Sequence, residues 1–313
     1  METVRPTIAI ALALATAPCR AGDAERPGAR ALYYRDDSPE ELKPVASPPS
    51  GMTAQSIADF PLVLVKPTAA KVGDTTFVLE RDGLYRFFEL DSKTTTNVVL
   101  DRGELWRLAG HLSRLQVHGW RHDGEDVVRW TNRARRGRLS ISCGNICQFV
   151  THHLSERGHR SRVVQTLTLG AHNGYDDGHV LLEVFDPAEN RWILFDPDMK
   201  CRFLSAGRRL NLGQAVALYR SGGQAELDFL APPSMDAYAE TAAPSKSAQY
   251  SLLFEATFRD PKARQDWYRR MFQAPVVDGK AAAHRPDDAA RLRTFGYAEP
   301  VSWTEWNKVV YGH

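Results

Sequence analysis

An α+β fold is what this chain of 313 residues predicts, and three observations predict it. Residues 142–158, SCGNICQFVTHHLSERG, carry helical periodicity. Two apolar runs, HVLLEVF at 179–185 and RWILFD at 191–196, flank a turn-rich DPAEN stretch and read as an antiparallel hairpin. Residues 58–100 read as strands, with TTFVLE and LYRFFEL meeting around Arg81-Asp82-Gly83. The segments between and after these carry helical patterns.

Taken in order, the chain opens METVRPTIAIALALATAPCRAGDA, with Arg5 before an apolar run from Thr7 to Ala17. That run is too short to span a bilayer but suits the core of a secretory signal. Residues 1–21 are therefore expected to be a signal peptide, cut after Ala17 or Ala21, and the protein to be periplasmic or secreted, with no stable membrane span. Cys19 follows Pro18, which does not suit a lipid-attachment site. Residues 22–54, rich in Pro, Ala, Ser and acidic residues, read as a poorly ordered linker. Residues 55–103 form a β-rich N-terminal region.

The core is expected over 104–205. Leu105, Leu108, Leu112 and Leu115 share one face of a helix at 104–117, and a second helix covers about 124–136. The third begins at Ser142 as N-cap, aligns Ile146, Val150 and Leu154 along one stripe beside Phe149, and ends at Gly158. Strands follow at about 161–169, 179–185 and 191–196. Residues 206–313 read as mainly helical, with Asp260-Pro261 opening a helix and 276–300 irregular.

Cys143 sits in the first turn of the third helix, where unpaired N–H groups and the macrodipole favour a thiolate. A free cysteine alone is more often a small buried core residue. The hairpin adds the other parts of a nucleophilic site. Folded about the middle of its turn, it sets His179 opposite Asp196, with Cβ atoms about 4.5–5.5 Å apart. The carboxylate then orients the imidazole that faces the thiol. Asp198, two residues on, is the reserve carboxylate.

The order of these pieces resembles the transglutaminase-like family of cysteine enzymes. Cys143 leads a helix, Gly158 and Arg162 follow in GHRSRVV, then come GHVLLEVF, Trp192 and Asp196-Pro197. The resemblance covers about 105–200. It implies a papain-like core, with the Cys-bearing helix packed on an antiparallel sheet that carries His and Asp. It also implies Cys143 as nucleophile, His179 as general base and acid, and Asp196 as orienting carboxylate. A departure lies just before the cysteine, where the family usually has glycine and this chain has Leu139-Ser140-Ile141-Ser142. The expected substrate is a protein, a peptide or another amide, attacked without cofactor or metal, for hydrolysis or acyl transfer.

Other residues compete for these roles. His152 and His153 lie about 14 Å of helical rise from Cys143, too far for a base. His172, in the loop AHNGYDDGH, is a candidate substrate contact. Removing the signal leaves Cys143, Cys147 and Cys201, an odd number, so at least one thiol stays outside any internal bridge. Cys147 either packs as a small residue or pairs with Cys201. A metal site from Cys143, Cys147, His179 and Cys201 is one rival reading, with spacing poor for zinc. A non-catalytic binding or scaffold domain is the other.

Arg129, Arg133, Arg135, Arg136 and Arg138 form a basic run before the third helix, which reads chiefly as a solvated face. With a net charge of +2 and no aromatic-interleaved basic surface or phosphate loop, the sequence excludes a dedicated nucleic-acid binder.

Overall fold

The computed structural model describes residues 28–35, 38–170, 177–231, 260–297 and 299–312. The expected signal segment lies outside the described residues, as does His172. The mixed α+β class holds among those described.

Eight strands precede the first helix: β1 (Ala29–Arg35), β2 (Ser38–Glu41), β3 (Ala54–Ser56), β4 (Val63–Leu64), β5 (Thr68–Val72), β6 (Thr75–Leu79), β7 (Gly83–Glu89) and β8 (Thr94–Leu100). They form a five-stranded sheet, ordered β2-β1-β7-β8-β4, and a three-stranded one, β3-β5-β6. Tyr33, Phe77, Leu79, Phe87 and Val98 close a core among them. The linker expected over 22–54 thus contains β1 and β2, with residues 42–53 irregular. Ala31 and Tyr33 point inward at the period-two spacing of a half-buried strand, a pattern too short to stand out against the surrounding proline and charge. The wholly exposed β2, with Glu40 and Glu41, makes a charged edge.

The next stretch alternates α1 (Leu105–Ser113), β9 (Gln116–His118), α2 (Val127–Arg136), β10 (Leu139–Ile141) and α3 (Cys143–Glu156). The helix expected over 104–117 stops at Ser113 because Gln116–His118 leave it to pair in parallel with β10, His118 opposite Ile141. Asp126 caps α2 by accepting the Arg129 N–H at 2.9 Å.

The central sheet is built from β11 (Ser161–Leu167), β12 (Gly178–Asp186), β13 (Arg191–Asp196), β14 (Cys201–Ser205) and β15 (Arg208–Arg209), antiparallel throughout. Ile146, Phe149, Val150 and Leu154 of α3 pack with Leu182, Val184 and Phe195 in one core. The expected stripe of α3 is therefore its buried face. Leu181 and Leu194 belong to a second core, shared with α4 (Leu212–Arg220) and α5 (Pro261–Met271).

The C-terminal part departs from the mainly helical expectation. Alongside α4, α5, α6 (Pro286–Thr294) and α7 (Trp303–Tyr311) it contributes β16 (Glu226–Phe229), β17 (Ala274–Val277), β18 (Lys280–Ala283) and β19 (Val301–Ser302). β16 pairs with β14 and β17 with β11, so these residues extend the sheet that carries His179. The irregular stretch expected over 276–300 is replaced by regular elements as far as Thr294. The strands are too short for periodicity to reveal, but Asp278-Gly279 marks the turn. Both residues have positive φ, +49° and +74°, as a two-residue hairpin loop between Val277 and Lys280 requires.

Candidate active site

Cys143 is the first residue of α3, and it is half-buried and free. Ser142 is the N-cap residue, but its side chain makes no capping bond. Instead Asp123 braces this end from the preceding loop: its carboxylate accepts the Ser142 N–H at 2.7 Å and the Asn145 Nδ2 at 2.8 Å. Regular helical bonding starts with the Ile146 N–H on the Ser142 carbonyl. The first-turn N–H groups thus project from the end that carries the sulfur, where a developing negative charge is favoured.

His179 and Asp196 come from neighbouring strands, but not as directly opposite residues. The register pairs Asp186 with Arg191 and Leu182 with Phe195, which carries His179 opposite position 198. The turn is centred one residue later than its sequence midpoint, with Asn190 at φ +50° closing it. His179 and Asp196 are consequently diagonal neighbours, and the long histidine side chain spans the offset. Its Nε2 lies 2.8 Å from Asp196 Oδ2. The ring and Cys143 interact electrostatically, each favouring the charged form of the other, and Asp196 at Nε2 leaves Nδ1 as the nitrogen available to the sulfur. The three residues expected from the sequence are therefore brought together.

Asp196 is fully engaged. Its Oδ2 also accepts the Tyr268 hydroxyl at 2.8 Å, and its Oδ1 accepts the N–H groups of Asp198 and Met199, each at 3.0 Å. Trp267, next to Tyr268 on α5, sets its ring edge-on to His179 at 4.9 Å between centroids. Both aromatic residues come from the region read as a separate helical extension, and nothing in their local sequence ties them to the site.

Burial works against charge here, and the neighbours outweigh it. Desolvation pushes His179 down, but the charge and hydrogen bond of Asp196, with Cys143, hold it well above the ordinary imidazole range. Desolvation pushes the Cys143 thiol up, but the hydrogen bond and charge of His179, with His118, hold it below its ordinary value. The shifts are those of a thiolate–imidazolium pair. Cys147, one turn along α3, is buried with its thiol well above the ordinary value through burial, and it donates to the Val180 carbonyl at 3.4 Å. Cys201 is likewise buried, 3.5 Å from the Tyr268 hydroxyl. Both are free, so the sequence alternative of a Cys147–Cys201 disulfide gives way to two packed thiols.

One participant was missed. His118, on β9, places Nδ1 2.6 Å from Asp198 Oδ2, and both are buried. Asp198, the reserve carboxylate for His179, thus serves a different histidine. The only local signal was a histidine ending the apolar run LQVH.

The family-like residues beyond the triad are structural. Gly158 closes α3 at φ +77°. Arg162 binds buried Glu183 through Nε at 2.9 Å and Nη2 at 2.6 Å, and its guanidinium lies 4.4 Å from the Trp192 ring centroid. Among the described residues, the group with metal-ligand spacing is His152, His153 and Glu156, on α3 beyond Cys143. Cys143, Cys147, His179 and Cys201 do not converge in that way. Of the basic run, Arg129, Arg133, Arg136 and Arg138 line an open surface cleft of about 440 Å³ with Arg121 and His122, while Arg135 donates to the Ala58 carbonyl at 2.8 Å. No helix is long and apolar enough to cross a membrane among the described residues.

No family profile, no curated protein and no solved structure matches this chain.

Proposed function

We propose that the protein is a cysteine-dependent enzyme that cleaves or transfers acyl groups at amide or peptide bonds. One observation carries this reading: a sulfur at a helix N-terminus, electrostatically coupled to a buried imidazole whose Nε2 is 2.8 Å from a carboxylate. That set of groups is what thiol-based acyl transfer needs. Its order along the chain is the basis for the proposed transglutaminase-like, papain-like kinship. Export to a periplasm or beyond the cell is part of the same proposal and rests on the N-terminal apolar run.

In the proposed reaction the Cys143 thiolate attacks the substrate carbonyl carbon, forming the S–C bond and an oxyanion. The first-turn N–H groups of α3, beginning with that of Cys143, face the developing charge. The oxyanion collapses, the C–N bond breaks, and protonated His179 gives its proton to the departing amine. A thioester remains. His179 then takes a proton from water or from an incoming amine, which attacks the thioester. The C–S bond breaks, releasing an acid or a new amide and restoring the thiolate–imidazolium pair. Asp196 keeps the ring oriented through both halves.

Intact-mass measurement after incubation with a panel of peptide and glutamine-containing donors tests this. An adduct of donor acyl mass on Cys143, absent in Cys143→Ala, is expected. A protein that binds such donors without ever acquiring the adduct would be a binding domain instead.

A further inference from the structure

We propose that His118, held by Asp198, is a second imidazole that stabilises Cys143 as a thiolate, a positioning residue acting on the nucleophile alongside His179. The inference rests on Cys143 being the nucleophile and adds what holds it charged.

Placement comes first. The parallel pairing of β9 and β10 sets His118 opposite Ile141, two residues before Cys143, and the Gly119 N–H bonds the Ile141 carbonyl at 2.9 Å. His118 is thus fixed to the strand that delivers the sulfur. Its Nδ1 is engaged by Asp198 at 2.6 Å, so the remainder of the ring is turned away from that carboxylate. Asp198 in turn donates its N–H to Asp196 Oδ1. The two His–Asp pairs therefore hang from one turn, Asp196–Asp198, and converge on one thiol: His118 and His179 both interact electrostatically with Cys143, and with each other.

Charge balance gives the pair its purpose. The groups around the sulfur and its two imidazoles are Asp196 at the end of β13, Asp198 from the turn that follows, Tyr268 and Trp267 from α5, and Cys147 from α3 itself. Lys200 reaches the cluster through Asp198 and Asp196, and Arg114 and Arg138 act on Lys200. With both imidazoles protonated, Asp196 and Asp198 each face an imidazolium, and both imidazolium rings favour the Cys143 thiolate. Losing either imidazolium removes one of the two cations opposing the thiolate and leaves its aspartate partner without it in a buried cluster, which is costly. A buried His–Asp pair is a weak stabiliser on its own account, since apolar residues of like volume serve as well. Stabilising the thiolate explains why charge is kept here. Burial pushes His118 down, but Asp198 and Cys143 hold it above its ordinary value, in keeping with a protonated ring.

The test is the pH profile of iodoacetamide alkylation of the full chain, with Cys143 followed by peptide mass. Cys147 and Cys201 are buried with raised thiol pKa values and stay silent in acid. His118→Gln is expected to slow Cys143 alkylation about tenfold at about pH 5, equivalent to one pKa unit, with the rate at about pH 9 unchanged. A folded His118→Gln protein whose profile superposes on that of the native protein overturns the proposal. Native protein no faster in acid than a free thiol overturns it together with the proposed function, so the two failures are distinct. A reciprocal measurement needs no change at His118. Its imidazole titration by NMR should move to lower pH in Cys143→Ala, and an unmoved titration contradicts the coupling even if His118→Gln does not fold.

Discussion

Asp196 Oδ2 lies 2.8 Å from both His179 Nε2 and the Tyr268 hydroxyl, so a strand and a helix far apart in the chain share one carboxylate oxygen. The carboxylate is thereby fixed from two sides before it orients the ring. Tyr268→Phe removes one donor and leaves the shape. We expect alkylation of Cys143 in acid to fall severalfold and stability by about 1 kcal/mol, the usual net value of one hydrogen bond. Asp196→Asn should cost far more reactivity, because it removes the charge that keeps His179 protonated. Rates equal to those of the native protein in both variants would separate the carboxylate from the thiol's reactivity.

His179 gives stability a direction with pH. Its native pKa lies above the unfolded value of about 6.5, so the native state binds more protons across the interval between them. The stabilisation it brings is complete below about 6.5 and is lost as pH rises through the raised native value. Urea melts of the native protein and His179→Asn across that window should show the difference between them shrinking as pH rises. A difference that grows would mean that the imidazole is neutral in the folded protein.

Glu183 anchors the C-terminal elements to the sheet that carries His179. It is fully buried and accepts from Arg162, from the Leu212 N–H at 2.8 Å and from the Tyr311 hydroxyl at 2.7 Å. Glu183→Ala strands the Arg162 charge and two donors, and should destabilise by about 3–5 kcal/mol. A loss under 1 kcal/mol in chemical denaturation would contradict that role.

Gly178 precedes the candidate base, and a Cβ there would press into the Thr166 carbonyl oxygen on the paired strand β11. The backbone must shift to admit a methyl group. Gly178→Ala is expected to cost about 1–3 kcal/mol, as overpacking does, and to lower Cys143 reactivity by displacing His179. Gly158→Ala, with open space but φ +77°, should lose stability while keeping reactivity. Equal effects on reactivity would remove the distinction.

The parts of the site closest together in sequence were the legible ones. The apolar stripe and glycine stop of α3, and the turn between β12 and β13, fix Cys143, His179 and Asp196 within one helix and one hairpin. The hairpin's register was not legible, because a turn centred one residue later slides every cross-strand partner by two. That slide is why Asp196 reaches His179 diagonally; Asp198, in the turn beyond β13, binds His118 instead. Trp267, Tyr268 and His118 are separated from the hairpin by long stretches of chain and by several elements. Their local sequences predict a helix face and a position just past a helix, and only tertiary packing makes them neighbours of the site. The strand β1 and the C-terminal strands were hidden for a simpler reason: they are short, and their composition matches the loops around them.

The most direct measurement of the central claim is the ultraviolet thiolate absorbance of the native protein, titrated from acid to alkali against Cys143→Ala. The account predicts an ionisation that depends on Cys143 and lies well below the ordinary thiol value of about 8.5. No such step below about 8.5, or one that persists in Cys143→Ala, would contradict it.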